Sequence, residues 1–180
     1  MLGYFSNIGI YEIFTIIMII IVFIWVGFQV FSYKRDLKVI KIIRNNSEAY
    51  GDQILQLIDD SKVMETHRVN IKTITQLMNI LKSFPQHKII KRLQKRFRYA
   101  KEFAEKEQYV LSDVVLHFDY VTLPVISGIL SLFALLDKRI EKYLRTNLKN
   151  KIDIEQADTK LFEVLADVIK MFKTKRVNEQ

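Results

Sequence analysis

The longest uninterrupted apolar run of the chain lies close to its N-terminus. Ile13–Phe31 contains no charged residue, and Thr15 and Gln29 are its only polar side chains. As an α-helix rising about 1.5 Å per residue, this run spans roughly 28 Å, close to the ~30 Å hydrocarbon core of a bilayer. Apolar residues cover every face of such a helix, so it has no polar side for water. The pattern predicts a transmembrane helix.

Beyond this run, apolar residues recur at spacings of three and four, which places them on one face of an α-helix. The chain holds only 5 Gly and 2 Pro, a composition that favours helices with short connections over a β-rich fold. We therefore expect an all-α domain, a helical bundle of about five helices. The first helix is expected to continue through Lys34–Arg44, followed by helices over 48–60, Thr66–Phe84, Lys88–Tyr109, Val121–Leu148 and a last one carrying Leu161–Phe172.

Short polar segments mark where these helices begin and end. Asn45, Asn46 and Ser47 offer a break or an N-cap after the first helix. Pro85 ends one helix or starts the next, because proline lacks the backbone N–H that a helix interior needs. Asp153 followed three residues later by Gln156 resembles a capping box, so the last helix is expected to begin there.

A second apolar run, Val121–Leu136, raises the question of a second membrane crossing. Its sixteen uncharged residues are short for a span, and His117 and Asp119 stand just before it. Both flanks are basic, with 17 Lys and Arg from Lys34 to Asp113 and 11 after Leu136, so neither flank has the composition of an external segment. We predict a buried central helix of the bundle instead.

The distribution of positive charge indicates the orientation in the membrane. The chain carries 28 Lys and Arg against 20 Asp and Glu, and every cation lies at or after Lys34. Cytoplasmic segments carry the excess of Lys and Arg, so 34–176 is expected to form a cytoplasmic domain of a single-pass protein of the inner membrane. Residues 1–33 then comprise the external N-terminus and the crossing, and 177–180 a flexible tail. A cleaved signal peptide fits poorly, because no basic region precedes the apolar run and no small-residue site follows it.

Two groups of cations stand out within the cytoplasmic part. The first follows the apolar run and is expected to lie beside anionic lipid headgroups, with a mouth that attracts anions as the alternative; we call it the collar, and it comprises Lys34, Arg35, Lys38, Lys41 and Arg44. The second is the densest positive patch in the chain; we call it the basic face, and it comprises Lys88, Lys91, Arg92, Lys95, Arg96, Arg98 and Lys101. With Tyr99 and Phe97 interleaved it permits nucleic-acid stacking, although Phe97 is expected in the core. Anionic lipid or plain solvent are the other partners considered for it.

The sequence offers no catalytic or metal-binding constellation. The three histidines, His67, His87 and His117, lie twenty and thirty residues apart, and no Cys is present. Metal-ligand spacings, phosphate-binding glycine loops and the GxSxG nucleophile motif are all missing from the chain. We therefore predict no metal, no cofactor and no enzymatic activity.

The few polar residues near and within the apolar run share one side of the predicted helix. At 100° per residue, Thr15 and Gln29 lie about 40° apart, and Glu12 lies about 60° from Thr15. Such a stripe, with Gly27 as a further small residue, suits packing between helices or a narrow pore in a ring of copies. A lipid-bathed monomeric anchor is the simpler alternative, with Glu12 at the membrane interface.

The plan of anchor, collar and helical bundle resembles the membrane-anchored accessory proteins of type VI-B CRISPR systems, whose bundle is related to HEPN ribonuclease domains. HEPN nucleases carry an Arg followed a few positions later by His, late in a helix. Here Arg145 is followed by Asn150 in place of His, and Arg44-Asn45 is the other partial match. Since Asn cannot act as a general acid or base as His does, the resemblance implies a fold reused without ribonuclease activity. It also implies a homo-oligomeric membrane pore that strengthens antiphage defence.

A second resemblance is to uncharacterised bacterial membrane-anchored helical proteins, through His117-Phe-Asp-Tyr and Gly128-Ile, and it implies a fold only. Three functional hypotheses follow. The first is an oligomeric membrane effector, with the lipid bilayer and other copies of the chain as partners. The second is a membrane-tethered domain that binds RNA, or a degenerate ribonuclease, with RNA or a CRISPR effector complex as partner. The third is a plain membrane-anchored interaction protein.

Overall fold

A computed structural model describes the backbone of residues 10–107, 114–147 and 157–177, and every regular element in these ranges is helical, which confirms the all-α class. The chain divides into two compact units, Met1–Val39 and Ile40–Gln180. The helices are α1 (Ile10–Asn45), α2 (Ser47–Ser61), α3 (Val63–Thr66), α4 (Ile71–Lys82), α5 (Lys88–Glu107), α6 (Val114–His117), a π-helix (Phe118–Thr122), α7 (Leu123–Leu136), α8 (Lys138–Asn147) and α9 (Ala157–Val177).

Helix α1 contains the predicted crossing and the collar in one uninterrupted helix, as expected. Its large apolar side chains from Phe14 to Phe31 are 44–73% exposed, and no residue of its apolar window is buried. By length and composition the helix is able to span a membrane. The first unit therefore has no apolar core of its own among the described residues.

The predicted helix Thr66–Phe84 is wrong at its beginning. His67 adopts a left-handed conformation with φ of 50° and ends α3, and α4 begins only at Ile71. Asn70 caps α4, because its side chain accepts hydrogen bonds from the backbone N–H of Thr73 at 2.8 Å and from the Thr73 hydroxyl at 2.9 Å. Val69 is buried although it lies between α3 and α4, so the helical spacing of apolar residues continues across the end of α3. The apolar periodicity alone could therefore not reveal that the helix is interrupted.

Helix α7 is the core helix that the second apolar run predicted. Helices α5, α8 and α9, together with the π-helix, pack against it. Within Phe118–Leu136, 56% of an 18-residue apolar window is buried, against none of the corresponding window in α1. Gly128 permits the close approach of α5, since a Cβ there would lie 2.2 Å from Cε1 of the buried Phe97. This second window passes the same length and composition test as α1, but its burial is that of a core helix.

The predicted helix Val121–Leu148 is interrupted at Asp137, which takes extended backbone angles between α7 and α8. The Asp137 carboxylate is 6% exposed and accepts a hydrogen bond from the backbone N–H of Arg139 at 2.7 Å. The guanidinium of Arg139 adds a second contact at 2.9 Å. An aspartate that captures the N–H groups ahead of it starts a new helix rather than extending the old one.

The last helix, α9, packs on α7 and carries the expected apolar face, with Leu165 and Phe172 among its buried residues. Gly51 of α2 meets this helix, because a Cβ there would lie 2.2 Å from Cζ of Phe172. The predicted capping box at Asp153 lies outside the described residues. Helix α9 runs to Val177, and 178–180 are not described either.

Candidate anion-binding clefts

The basic face lies on α5, opposite a buried apolar face. Six of its seven cations are exposed and Lys101 is half-buried, whereas Ile90, Leu93 and Phe97 on the other side are at most 4% exposed. Two ion pairs within the helix, Arg98–Glu102 at 3.8 Å and Lys101–Glu105 at 3.4 Å, partly neutralise it. Such pairs contribute only about 0.3–0.5 kcal/mol each. The amphipathic character predicted for this segment is therefore confirmed.

Aromatic side chains join three of these cations in a shallow groove of about 560 Å³. Phe103 and Tyr120 stack with their ring centroids 4.7 Å apart, and Lys95 Nζ lies 5.6 Å from the centre of the Tyr99 ring. Tyr99 and Tyr120 are each 54% exposed. We call this site the basic–aromatic groove; it is lined by Arg92, Lys95, Arg96, Tyr99, Phe103, Tyr120 and Pro124.

The sequence revealed only one free aromatic ring at this site, Tyr99. The apolar spacing along α5 places Phe103 in the core, but it is half-buried and also lines the groove. Tyr120 lies on the π-helix, many residues later in the chain, and its position beside α5 follows from the packing of the π-helix against that helix. The alternation of aromatic and basic residues along α5 could therefore show only part of the groove.

A second and larger cleft, of about 790 Å³, brings together three arginines from separate predicted sets. Arg44 belongs to the collar, Arg96 to the basic face and Arg145 to the partial HEPN motif, and all three line this cleft with Glu141. Ser127 and Ser131 add hydroxyls, and the rest of the wall is apolar, with residues from α1, α5, α7, α8 and α9. We call it the arginine cleft. It lies wholly within the second unit.

Glu141 links two of these arginines. Its Oε2 accepts a hydrogen bond from Nη2 of Arg44 at 2.9 Å, and its Oε1 accepts one from Nη2 of Arg145 at 2.8 Å. Nε of Arg44 also donates to the backbone carbonyl of Leu135 at 3.1 Å. Arg44 is 23% exposed and Arg145 is 76% exposed, so Arg44 is held in the wall while Arg145 reaches solvent.

Arg96 lines both clefts. Its Nη1 donates a hydrogen bond to the Ser127 hydroxyl at 3.1 Å, and that hydroxyl donates to the carbonyl of Pro124 at 3.1 Å. Ser131 in turn donates to the carbonyl of Ser127 at 2.7 Å. These bonds orient Arg96 against α7. With three guanidinium groups and one carboxylate, the described wall of the arginine cleft carries a formal charge of +2.

The remaining predicted site residues are distributed as follows. In the collar, Lys34, Arg35, Lys38 and Lys41 are exposed, unlike Arg44. Thr15 and Gln29 are exposed on α1, and Glu12 belongs to the same helix although its side chain is not among those described. Asn150 lies outside the described residues.

The histidines occupy three separate settings. The ring of His67 packs against that of Phe162 in a tilted arrangement, with a centroid distance of 4.4 Å. His87 is buried, and its Nδ1 accepts a hydrogen bond from the backbone N–H of Ile89 at 3.3 Å. Nδ1 of His117 lies 3.4 Å from the Thr122 hydroxyl. In the described part of the chain, no group of three or more His, Cys, Asp or Glu is placed to hold a metal ion.

No protein-family model, curated protein or solved structure matches the chain. The two resemblances suggested by the sequence thus stay predictions.

Proposed function

We propose that the protein is a single-pass protein of the cytoplasmic membrane, with its N-terminus outside and the second unit in the cytoplasm. The observation that carries this proposal is the exposure of 15 large apolar side chains between Phe14 and Phe31. Each costs about 1.5–3 kcal/mol when it is left in water rather than buried. A bilayer covers such a helix on every face, and the position of all 28 cations at or after Lys34 supports the orientation.

The orientation is testable with single cysteines, because the native chain has none. Ser6→Cys marks the N-terminus, and Asn79→Cys marks the exposed surface of α4. In intact cells, a membrane-impermeant maleimide should label only Ser6→Cys, and both sites should react after the membrane is permeabilised. Labelling of Asn79→Cys in intact cells would reverse the proposed topology.

We further propose that several copies associate through α1 and act as a membrane effector without catalysis. Thr15 and Gln29 support this, since they share one face of an otherwise apolar exposed helix. Polar side chains that hydrogen-bond between helices in a membrane contribute about 0.6–2 kcal/mol each. The proposed partners are the lipid bilayer and other copies of the chain, and the resemblance to CRISPR accessory proteins suggests antiphage defence, with a pore as the mode of action.

Mass in detergent and leakage from liposomes test the effector proposal together. The native chain should run as a multimer by light scattering and release an encapsulated dye, and Thr15→Val with Gln29→Leu should reduce both. Ile20→Leu is the matched control, because it lies about 140° from Thr15 around the helix and keeps an apolar side chain. A native chain that stays monomeric under mild extraction would rule out a pore.

The absence of catalysis belongs to the same proposal. Arg145, the Arg of the partial HEPN motif, is engaged with Glu141, and Asn occupies position 150 where the motif has His. Incubation with labelled RNA should leave the RNA intact in both the native chain and Arg145→Ala. Cleavage that disappears in Arg145→Ala would instead establish a degenerate but active ribonuclease.

RNA binding is the second candidate function, and the basic–aromatic groove favours it. Exposed Tyr rings beside cations allow bases to stack while phosphates pair with the charges, which is how single strands are bound without sequence preference. Charge reversal at Lys91, Arg92, Lys95 and Arg96 should abolish binding at moderate salt. The slope of log affinity against log salt is negative, and it should become less steep by about 0.7 for each phosphate that the protein no longer neutralises.

Separate variants distinguish stacking from bulk charge. Tyr99→Ala with Tyr120→Ala removes the exposed rings and keeps every cation, so it should weaken RNA binding with little change in salt slope. Charge reversal of the exposed Lys138 and Lys142 on α8 is the control, since neither lines a described cleft. Reductions in proportion to the number of charges reversed, with none in Tyr99→Ala with Tyr120→Ala, would point to non-specific attraction by the net charge.

A further inference from the structure

We propose that the arginine cleft binds a single-chain anionic amphiphile, with a carboxylate or phosphate head held by Arg96 and Arg145 and an alkyl chain along the apolar wall. The inference goes beyond the proposed membrane function and does not depend on it. The volume of the cleft, about 790 Å³, falls within the range of pockets that hold small organic ligands.

The charge of the cleft selects an anion. Among the described residues, three guanidinium groups and one carboxylate line the cleft, and that carboxylate already shares its two oxygens between Arg44 and Arg145. Arg145 is 76% exposed, so the rest of its planar donor fork faces solvent. Guanidinium groups bind carboxylates and phosphates through paired, charge-assisted hydrogen bonds, and Arg96 is held toward the same cleft by Ser127.

The wall of the cleft selects an apolar body rather than a bare ion. Ile89, Leu123, Leu130, Leu144 and Leu161, from four different helices, line it. Among the described lining residues, the polar side chains are those of the three arginines, Glu141 and two serines, so most of the wall offers a bare ion no polar side chain. An alkyl chain contacts such a wall, whereas a sugar or a peptide backbone would leave its polar groups without hydrogen-bond partners.

A ligand that has both an anionic head group and an alkyl chain should bind more tightly than a ligand that has only one of them. Full-length protein in phosphatidylcholine nanodiscs would be titrated by calorimetry with decanoate, decyl phosphate, decanol and inorganic phosphate, and protein-free nanodiscs would correct for partition into lipid. Decanoate and decyl phosphate should bind measurably more tightly than decanol or inorganic phosphate. Shortening the alkyl phosphate should weaken binding by about fourfold for each methylene removed, because that is the transfer free energy of a buried CH₂.

Variants then assign the binding to the cleft. Arg96→Gln with Arg145→Gln should lower the affinity for decyl phosphate at least about tenfold, since the charge-assisted hydrogen bonds to the head group are lost. Both side chains are exposed, and the fold is not expected to depend on them. Arg98→Gln with Lys142→Gln is the matched control, because it also removes one charge from α5 and one from α8, at positions outside this cleft.

Each outcome has a defined meaning. Tighter binding of the carboxylate supports the inference with a fatty acid as the source of the ligand, and tighter binding of the phosphate supports it with a phosphate monoester. The inference would be overturned if decanol bound as tightly as decanoate, or if inorganic phosphate bound as tightly as decyl phosphate. An equal reduction of affinity in Arg98→Gln with Lys142→Gln would also overturn it, because it would indicate bulk electrostatic attraction.

Discussion

The contact between Gly128 and Phe97 makes the sharpest prediction about stability. In Gly128→Ala, the new Cβ would lie 2.2 Å from Cε1 and 2.6 Å from Cζ of the Phe97 ring. Carbon atoms in ordinary contact lie about 3.5–4.0 Å apart. Phe97 is 0% exposed, so its ring cannot turn out to solvent. Helix α5 and α7 must therefore separate by more than about 1 Å, or the ring must leave its preferred rotamer.

The magnitude follows from two opposing effects. Overpacking a core by a methyl group costs about 1–3 kcal/mol, and the close distance places this site at the upper end. Alanine regains about 1 kcal/mol over glycine as a helix former. We expect a net decrease in stability of about 2 kcal/mol, which for a domain of this size lowers the melting temperature by roughly 4–8 °C.

Thermal unfolding of the full chain in nanodiscs, followed by circular dichroism at 222 nm, measures this decrease. Gly27→Ala is the control, because a Cβ at Gly27 meets nothing within 4 Å. Phe97→Leu combined with Gly128→Ala should cost less than the sum of the single changes, since the smaller side chain makes room for the methyl group. Full stability of Gly128→Ala, or strict additivity in the double variant, would refute the close approach of the two helices.

Three further expectations test other contacts. Asp137→Ala should lower the free energy of unfolding in urea titrations by about 1–2 kcal/mol, because the helix cap is removed. Asp137→Asn keeps a capping oxygen and should stay close to the native value. Equal decreases in both variants would show that Asp137 does not act as a cap. Gly51→Ala should destabilise through its clash with α9, and an unchanged urea midpoint would contradict that packing. The hydrogen bond to Asp167 raises the pKa of Tyr143 to about 12, so its contribution to stability is lost as pH rises from about 10 to 12. In Asp167→Asn, ultraviolet titration should show the pKa of Tyr143 return toward 10. An unchanged pKa of Tyr143 in that variant would exclude the hydrogen bond as the cause of the shift.

The sequence predicted the helices more completely than the breaks that divide them. The apolar run of α1, the amphipathic α5 and the buried α7 were all recognised, because burial on one face or on every face leaves a periodic signature in the chain. The breaks at His67 and Asp137 were missed. Each depends on a local backbone conformation or a side-chain cap, and the apolar spacing passes through both without change.

The candidate sites show a similar division. The cations of the basic face could be identified along one helix, since they are neighbours in sequence. The partnership of Arg44, Arg96 and Arg145 could not, because these residues come from three helices and were assigned to three different roles. Tyr120 likewise reaches the basic–aromatic groove only through the π-helix.

Taken by itself, the sequence determined that one helix exposes an apolar surface of membrane-spanning length, followed by a basic all-α region. These properties depend on composition and spacing along a single segment, because a helix needs only its own backbone hydrogen bonds. Only the tertiary structure decided that Val121–Leu136 is covered by other helices, and that arginines far apart in the chain meet around Glu141. Such contacts depend on how helices pack, and the pattern within each helix carries no record of its neighbours.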